Sequence, residues 1–157
     1  MRKSVLAAGL AVVGAVAATL VVTTVASAAN SAPPTQHITA LSTRANGNPT
    51  VIAQGPIHAR GTDITVTNNV DRFVFPNGNL RIRHHRVGRA VNRFDPVTCF
   101  GTHREHGTYR IVRGTGAYRC VRGHGIYRLR VRVVGCNPHR PPRLFMLIIR
   151  ASGPIRR

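Results

Sequence analysis

From His37 onward the chain alternates. In Ile126-Tyr-Arg-Leu-Arg-Val-Arg-Val133, the side chains of Tyr127, Leu129, Val131 and Val133 share one face and those of Arg128, Arg130 and Arg132 share the other. Successive residues of an extended strand point to opposite sides, so one face is core and the other is water. Short runs of this kind recur, separated by Gly, Pro and Asn, at intervals of roughly ten residues, the rhythm of an all-β sandwich or barrel. No segment there carries apolar residues at helical spacing over the length a helix needs. The pattern predicts strands at 38–43, at 51–60 with a bulge or bend at Gly55-Pro56, and at 64–67. A hairpin follows, 71–75 and 80–84, turning over Pro76-Asn77-Gly78-Asn79. After a basic loop at 86–95 come strands at 97–102, 109–112 and 126–134, and a last strand at 143–150. A ribbon with one wet face hides its dry face by rolling up, which also removes exposed edges. The expected fold is all-β, a single closed antiparallel barrel.

The last strand breaks the rule. Leu144, Phe145, Met146, Leu147, Ile148 and Ile149 are apolar on both faces. Contiguous apolar surface of this kind marks a contact, either with a second copy in a homo-oligomer or with the N-terminal leader.

The N-terminus has another texture. Met1-Arg2-Lys3 precedes an apolar run from Val5 to Val22 and a small-x-small site at Ala26-Ser27-Ala28. This is the layout of a secretory signal peptide at 1–28. Cleavage after Ala28 leaves a small, polar, Pro-rich leader at 29–36 and a barrel domain at 37–157; retention of the run as an anchor is the alternative. The expected location is secreted, with no membrane span after cleavage.

Charge sharpens the picture. The chain of 157 residues has a net charge of +19 and only four acidic residues. Lys3 is the sole lysine, so beyond the leader every cation is an arginine, a planar fork suited to phosphate or carboxylate. The field draws polyanions at long range. Arg128, Arg130 and Arg132, with Arg81, Arg83, Arg86, Arg89 and Arg93, form a candidate contact for nucleic acid or envelope polymers. The plainer reading is that these residues coat a soluble domain. Aromatics for base stacking are scarce on that face, so contact would be non-specific.

Gly107-Thr-Tyr-Arg-Ile-Val-Arg-Gly-Thr-Gly-Ala-Tyr118, followed by Gly123-His-Gly125, resembles the signature of the allene oxide cyclase-like and dirigent-like barrels. The segments Phe73-Val-Phe-Pro-Asn-Gly-Asn-Leu80 and Gly55-Pro-Ile-His-Ala-Arg-Gly-Thr-Asp63 are similar to exported bacterial members of that superfamily. The resemblance covers about residues 50–135. It implies a barrel of about eight strands around an apolar cavity, and relatives that are commonly trimers steering cyclisation or radical coupling of hydrophobic small molecules. Gly107, Gly114, Gly116, Gly123 and Gly125 serve the fold, through sharp turning and close backbone approach. The signature therefore carries architecture more surely than chemistry.

A small hydrophobic ligand is the expected partner, and Phe73, Phe75, Leu80, Ile82, Tyr109, Ile111, Tyr127 and Leu129 are the expected cavity lining. Whether the protein is an enzyme is left open. There is no nucleophile elbow and no phosphate-binding loop, so no catalytic motif and no cofactor is assigned. Asp71 is the one candidate acid, on the face of Phe73 and Phe75 at the barrel rim, where its proton affinity would be altered; the plainer reading pairs it with Arg72 or Arg60. Of His84 and His85, alternation lets at most one face the cavity. His103-Arg-Glu-His106 lacks the helical spacing of a zinc pair, and no metal site is assigned. Three cysteines in an oxidising compartment allow one internal bridge. With strands near 97–102, 107–112 and 126–134 meandering, Cys99 and Cys120 fall at the same end, so Cys99–Cys120 is the expected disulfide, with Cys136 free or paired between chains.

Overall fold

The structure is a computed structural model that describes residues 32–137 and 139–157. The expected signal peptide at 1–28 and the first part of the expected leader, 29–31, lie outside the described residues. Nine strands form one sheet: β1 (Thr35–Ser42), β2 (Thr50–Gln54), β3 (Ala59–Thr67), β4 (Val70–Phe75), β5 (Gly78–Arg86), β6 (Val91–Asp95), β7 (Phe100–Gly114), β8 (Arg122–Val134) and β9 (Leu144–Arg156). A short 3-10 turn, Gly116–Tyr118, lies between β7 and β8. Eight strands close an antiparallel ring in the order β1-β2-β3-β4-β5-β7-β8-β9, and β9 returns to pair with β1. Among the described residues no helix is long and apolar enough to cross a membrane.

β6 stands outside the ring. It pairs with residues 100–104 of β7, while β5 pairs with residues 107–114 of the same strand. β5 and β6 thus run as one interrupted strand along β7, broken at residues 87–90, where Gly88 takes a φ of 74°. The beginning of β7, the end of β8 and the start of β9 project with β6 beyond the ring as an apron.

One end of the barrel is closed by side chains. Ile57, Phe75, Leu80, Tyr118, Val121 and Ile155 are buried there, with Phe75 and Tyr118 edge to face at 5.8 Å. The two corners above them are stitched together: Ala117 N–H donates to the Asn77 carbonyl (2.8 Å), and Asn79 N–H donates to Thr115 Oγ1 (3.0 Å). Gly116 makes this contact feasible, since its φ is 57° and a Cβ there would strike the Asn77 carbonyl. Gln36 closes the same end from β1. Its amide nitrogen donates to the carbonyls of Gln54 (2.9 Å) and Ile57 (3.0 Å), and its oxygen accepts from Ile57 N–H (2.8 Å). A buried amide is tolerated there because it is satisfied on both sides.

The alternation of β8 is as expected: Tyr127 is buried, and Arg128, Arg130 and Arg132 are exposed. Other expectations need correction. The expected strand at 51–60 is two strands, because Gly55, with a φ of 129°, turns the chain; 64–67 is only the end of β3. The expected basic loop contains β6. The strands expected at 97–102 and 109–112 are one strand, β7, in which Gly107 lies mid-ladder opposite Tyr127. The expected leader loses Thr35 and Gln36 to β1, and β9 runs on past 150 to Arg156. The outer face of β9 stays uncovered by any described element, with Leu144 46% and Met146 37% exposed.

The unbroken β7 also corrects the disulfide. Cys99 precedes β7 and Cys136 follows β8, and the register sets Phe100 opposite Val134. The bridge is therefore Cys99–Cys136, with Cα atoms 4.9 Å apart, and Cys120 is free and exposed. Cys99 and Cys120 lie at opposite ends, separated by a 15-residue strand, roughly 45 Å of extended chain. The bridge closes a span of 37 residues, for which the chain-entropy relation gives about 4 kcal/mol. Denaturant melts of Cys99→Ser should show a loss up to about that size, whereas Cys120→Ser should stay within about 0.5 kcal/mol of the parent. A Cys99–Cys120 peptide in an unreduced digest would contradict the assignment.

Candidate functional site

The end of the barrel opposite Gln36 is open. A cavity of about 300 Å³ descends from it. Its walls are Ile38 and Ala40 of β1, Phe73 of β4, Ile82 of β5, Tyr109 of β7, Tyr127 and Leu129 of β8, and Leu147, Ile149 and Ala151 of β9, with Pro49, Thr65, Thr67 and Asn68 around the mouth. Five of the expected lining residues are therefore in place: Phe73, Ile82, Tyr109, Tyr127 and Leu129. Phe75, Leu80 and Ile111 are not; they are buried in the packed core, because inward positions beyond Phe73 and Ile82 fall under the closed end. Leu147, Ile149, Ile38 and Ala40 were not expected. The inner face of β9 answers half of its two-sided apolar pattern.

The polar content of this cavity is unusual for the chain. Asp63, Asp71 and Glu105, three of the four acidic residues, line it, together with His84. The fourth, Asp95, caps the turn after β6, accepting from Val97 N–H (2.9 Å) and the Thr98 hydroxyl (2.6 Å); the Thr98 bond and then the Val97 bond hold its carboxyl below the usual range.

Asp71 sits at the rim as expected, but its partner is neither Arg72 nor Arg60. His84 Nε2 lies 3.2 Å from Asp71 Oδ2. The register explains this, since Asp71 pairs with Ile82 on β5 and His84 is the next inward residue on that strand. The hydrogen bond to Asp71 raises the His84 pKa above 6.5, against a smaller opposing effect of burial. The His84 ring meets Tyr127 edge-on at 5.7 Å. Tyr127 donates its hydroxyl to Glu105 Oε1 (3.0 Å), and His103 Nε2 lies 3.4 Å from Glu105 Oε2. Burial first, and then the bond to Glu105, push the Tyr127 hydroxyl pKa well up. His103 and His106 are three apart on a strand and lie on opposite faces, so they do not converge on a shared ligand.

Asp63 was missed, and it is the most constrained group in the cavity. It is 4% exposed, and its Oδ1 has no hydrogen-bond partner. Desolvation, and secondarily repulsion from Asp71, raise its pKa from 3.8 to about 7, with His84 partly opposing. In Thr62-Asp-Ile-Thr65 the alternation would place Ile64 inward, but the pairing of Asp63 with Phe73 commits the carboxyl to the interior instead. Glu105 carried a readable signal, sharing odd-numbered parity with Tyr109 and Ile111 once the strand is not cut at Gly107.

No protein-family model, curated protein or solved structure matches the chain.

An acid that ionises near 7 in the folded chain and at 3.8 in the unfolded one makes the native state hold extra protons between those values. Its contribution to stability therefore falls as the pH rises through that window. His84, whose pKa is also raised, acts in the same direction from 6.5 upward. At about 1.4 kcal/mol per pH unit, the full Asp63 penalty is on the order of 4 kcal/mol above pH 8. Asp63→Asn should therefore gain in melting temperature relative to the parent as the pH is taken from 5 to 8. A difference that stays constant across that range would contradict the burial of an ionisable Asp63.

Proposed function

We propose that the chain is an exported cationic barrel that binds a small hydrophobic molecule in its open-ended cavity, with an isomerase- or cyclase-like or dirigent-like use of it. The observation that carries this reading is the cavity, apolar on most of its wall yet holding an unsatisfied carboxyl at Asp63. Binding sites for small molecules are concave, mostly apolar and marked by a few convergent polar groups with perturbed pKa values. The glycine signature supports the kinship with the allene oxide cyclase-like and dirigent-like barrels, and the residues at 1–28 support export. Proton transfer to a bound molecule has its parts in reach. Asp63 keeps a proton close to neutrality, and His84, oriented by Asp71, is a second proton-exchanging group in the same cavity.

The test uses an uncharged fluorescent naphthalene probe. It should bind the parent, and Leu129→Trp, which fills the cavity, should weaken binding by about tenfold or more, the equivalent of about 1.4 kcal/mol. Binding that is absent, or indifferent to Leu129→Trp, would remove the proposal.

A second reading, a polyanion contact, is favoured by one observation. Arg104 lies directly opposite Arg130, and Arg128 opposite Arg150, all exposed on the outer wall. Like charges facing each other across a ladder are unfavourable, and an anionic polymer lying along them would relieve the repulsion. Each phosphate contact contributes roughly 0.9 to the slope of log affinity against log salt. Replacing Arg128, Arg130 and Arg150 with Gln should therefore lower that slope for duplex DNA by about 2 to 3; an unchanged slope would rule out this face.

A further inference from the structure

Resting on the cavity reading, we infer that the ligand is an organic monocation: an apolar body bearing one protonated nitrogen, which Asp63 receives. The cavity has hydrogen-bonding capacity that the protein itself does not use. Two of its donors are engaged, the Tyr127 hydroxyl with Glu105 and His84 Nε2 with Asp71, which leaves the Tyr109 hydroxyl as the one aromatic donor on the wall without such a partner. The excess is of acceptors, above all the carboxyl of Asp63, a residue of the cavity wall whose Oδ1 is enclosed and has no partner. An ionised carboxylate offers only acceptors, so a donor with positive charge is its natural complement.

The distribution of charge leads to the same class of ligand. The chain is strongly cationic, yet three of its four carboxylates are withdrawn from the arginine-covered exterior into one cavity. Among the described residues their ion pairs are to histidines and none is to an arginine, and no arginine lines the cavity. The groups facing Asp63 are Asp71 on β4, His84 on β5, Glu105 and Tyr109 on β7 and Tyr127 on β8, with Arg86 near Tyr127. β1 and β9 contribute only Ile38, Ala40, Leu147, Ile149 and Ala151. Carboxylates outnumber the one histidine, so the interior is negative inside a positive shell. An anionic ligand would meet Asp71 and Glu105 without a cation to receive it. A neutral apolar ligand would leave Asp63 as it is, buried and unmatched. A cation resolves both, and its hydrocarbon part fits the apolar wall around Phe73, Ile82 and Leu129.

Binding should then be coupled to proton release. A cation favours the ionised form of Asp63, so near neutrality the carboxyl gives up its proton as the ligand enters, and affinity rises with pH.

The experiment is calorimetric titration of the full chain with three matched probes at pH 5 and pH 8: naphthylmethylammonium, naphthylmethanol and naphthoate. At pH 8 the ammonium should bind about tenfold more tightly than the alcohol, the effect of one charge-assisted hydrogen bond, and the carboxylate most weakly. The ammonium preference should shrink at pH 5, and its heat at pH 7 should vary with the ionisation enthalpy of the buffer. Raising salt should leave the ammonium affinity undiminished or increase it, because the arginine shell repels the probe. Asp63→Asn should weaken the ammonium about tenfold and leave the alcohol within a factor of about two. Equal binding of alcohol and ammonium, or preference for the carboxylate, would overturn the inference and leave the cavity reading standing. Failure of all three probes would overturn both. Should Asp63→Asn not fold, the pH dependence and buffer dependence of the parent decide alone.

Discussion

The barrel is held shut by the pairing of its first strand with its last. Thr35–Ser42 zips onto β9 from Pro154 back to Leu147, and until it does the sheet has two free edges and no interior. Closure turns the odd-numbered side chains of β7, β8 and β9 into a shared lining and gives period-two alternation its meaning. It also determines where a carboxyl ends up. Asp63, Asp71 and Glu105 lie on three different strands, and only the rolled sheet brings them around one space. Gln36, bonding across to the turn between β2 and β3, locks the seam at its closed end.

The electrostatic design follows from that closure. Guanidinium groups occupy outward positions on β5, β7 and β8 and meet water, at the expense of mutual repulsion. The carboxylates are collected on the other side of the wall. A buried Asp63 with an unmatched oxygen makes the native state less stable than an apolar residue of similar size would. Departures of this kind from good packing are expected where a protein does something other than fold. The two ends of the barrel divide the work: one is filled with Phe75, Tyr118 and Ile155, the other keeps the space and the charge.

Much of the architecture was legible in the sequence, and its limits have physical causes. The alternation at 127–133 gave both faces of β8 correctly because arginine and apolar residues alternate there without exception. The glycine-marked corner at 114–118 was equally plain. Gly107 misled, because glycine reads as a break, whereas here it permits close approach to β5 and the Tyr127 ring within an unbroken ladder. That single misplaced turn reversed the apparent direction of the next strand and, with it, the cysteine pairing. β6 was hidden because all five of its residues are exposed, so no inward face marked it. Five cavity residues and the rim position of Asp71 could be read from parity. Asp63 could not, because the neighbouring Ile64 is the better candidate for an inward position on hydrophobicity alone. Register with β4, a long-range property, decides the matter.

The free thiol of Cys120 lies at the stitched corner of the barrel, at the pole away from the cavity mouth. With Cys99 and Cys136 joined and Lys3 the only lysine in the sequence, this corner offers a singular point of attachment. A thiol-selective dye, spin label or solid support coupled there would hold every molecule in one orientation, mouth outward. The geometry that separates Cys120 from the bridge therefore lets the protein be immobilised in one orientation without further engineering.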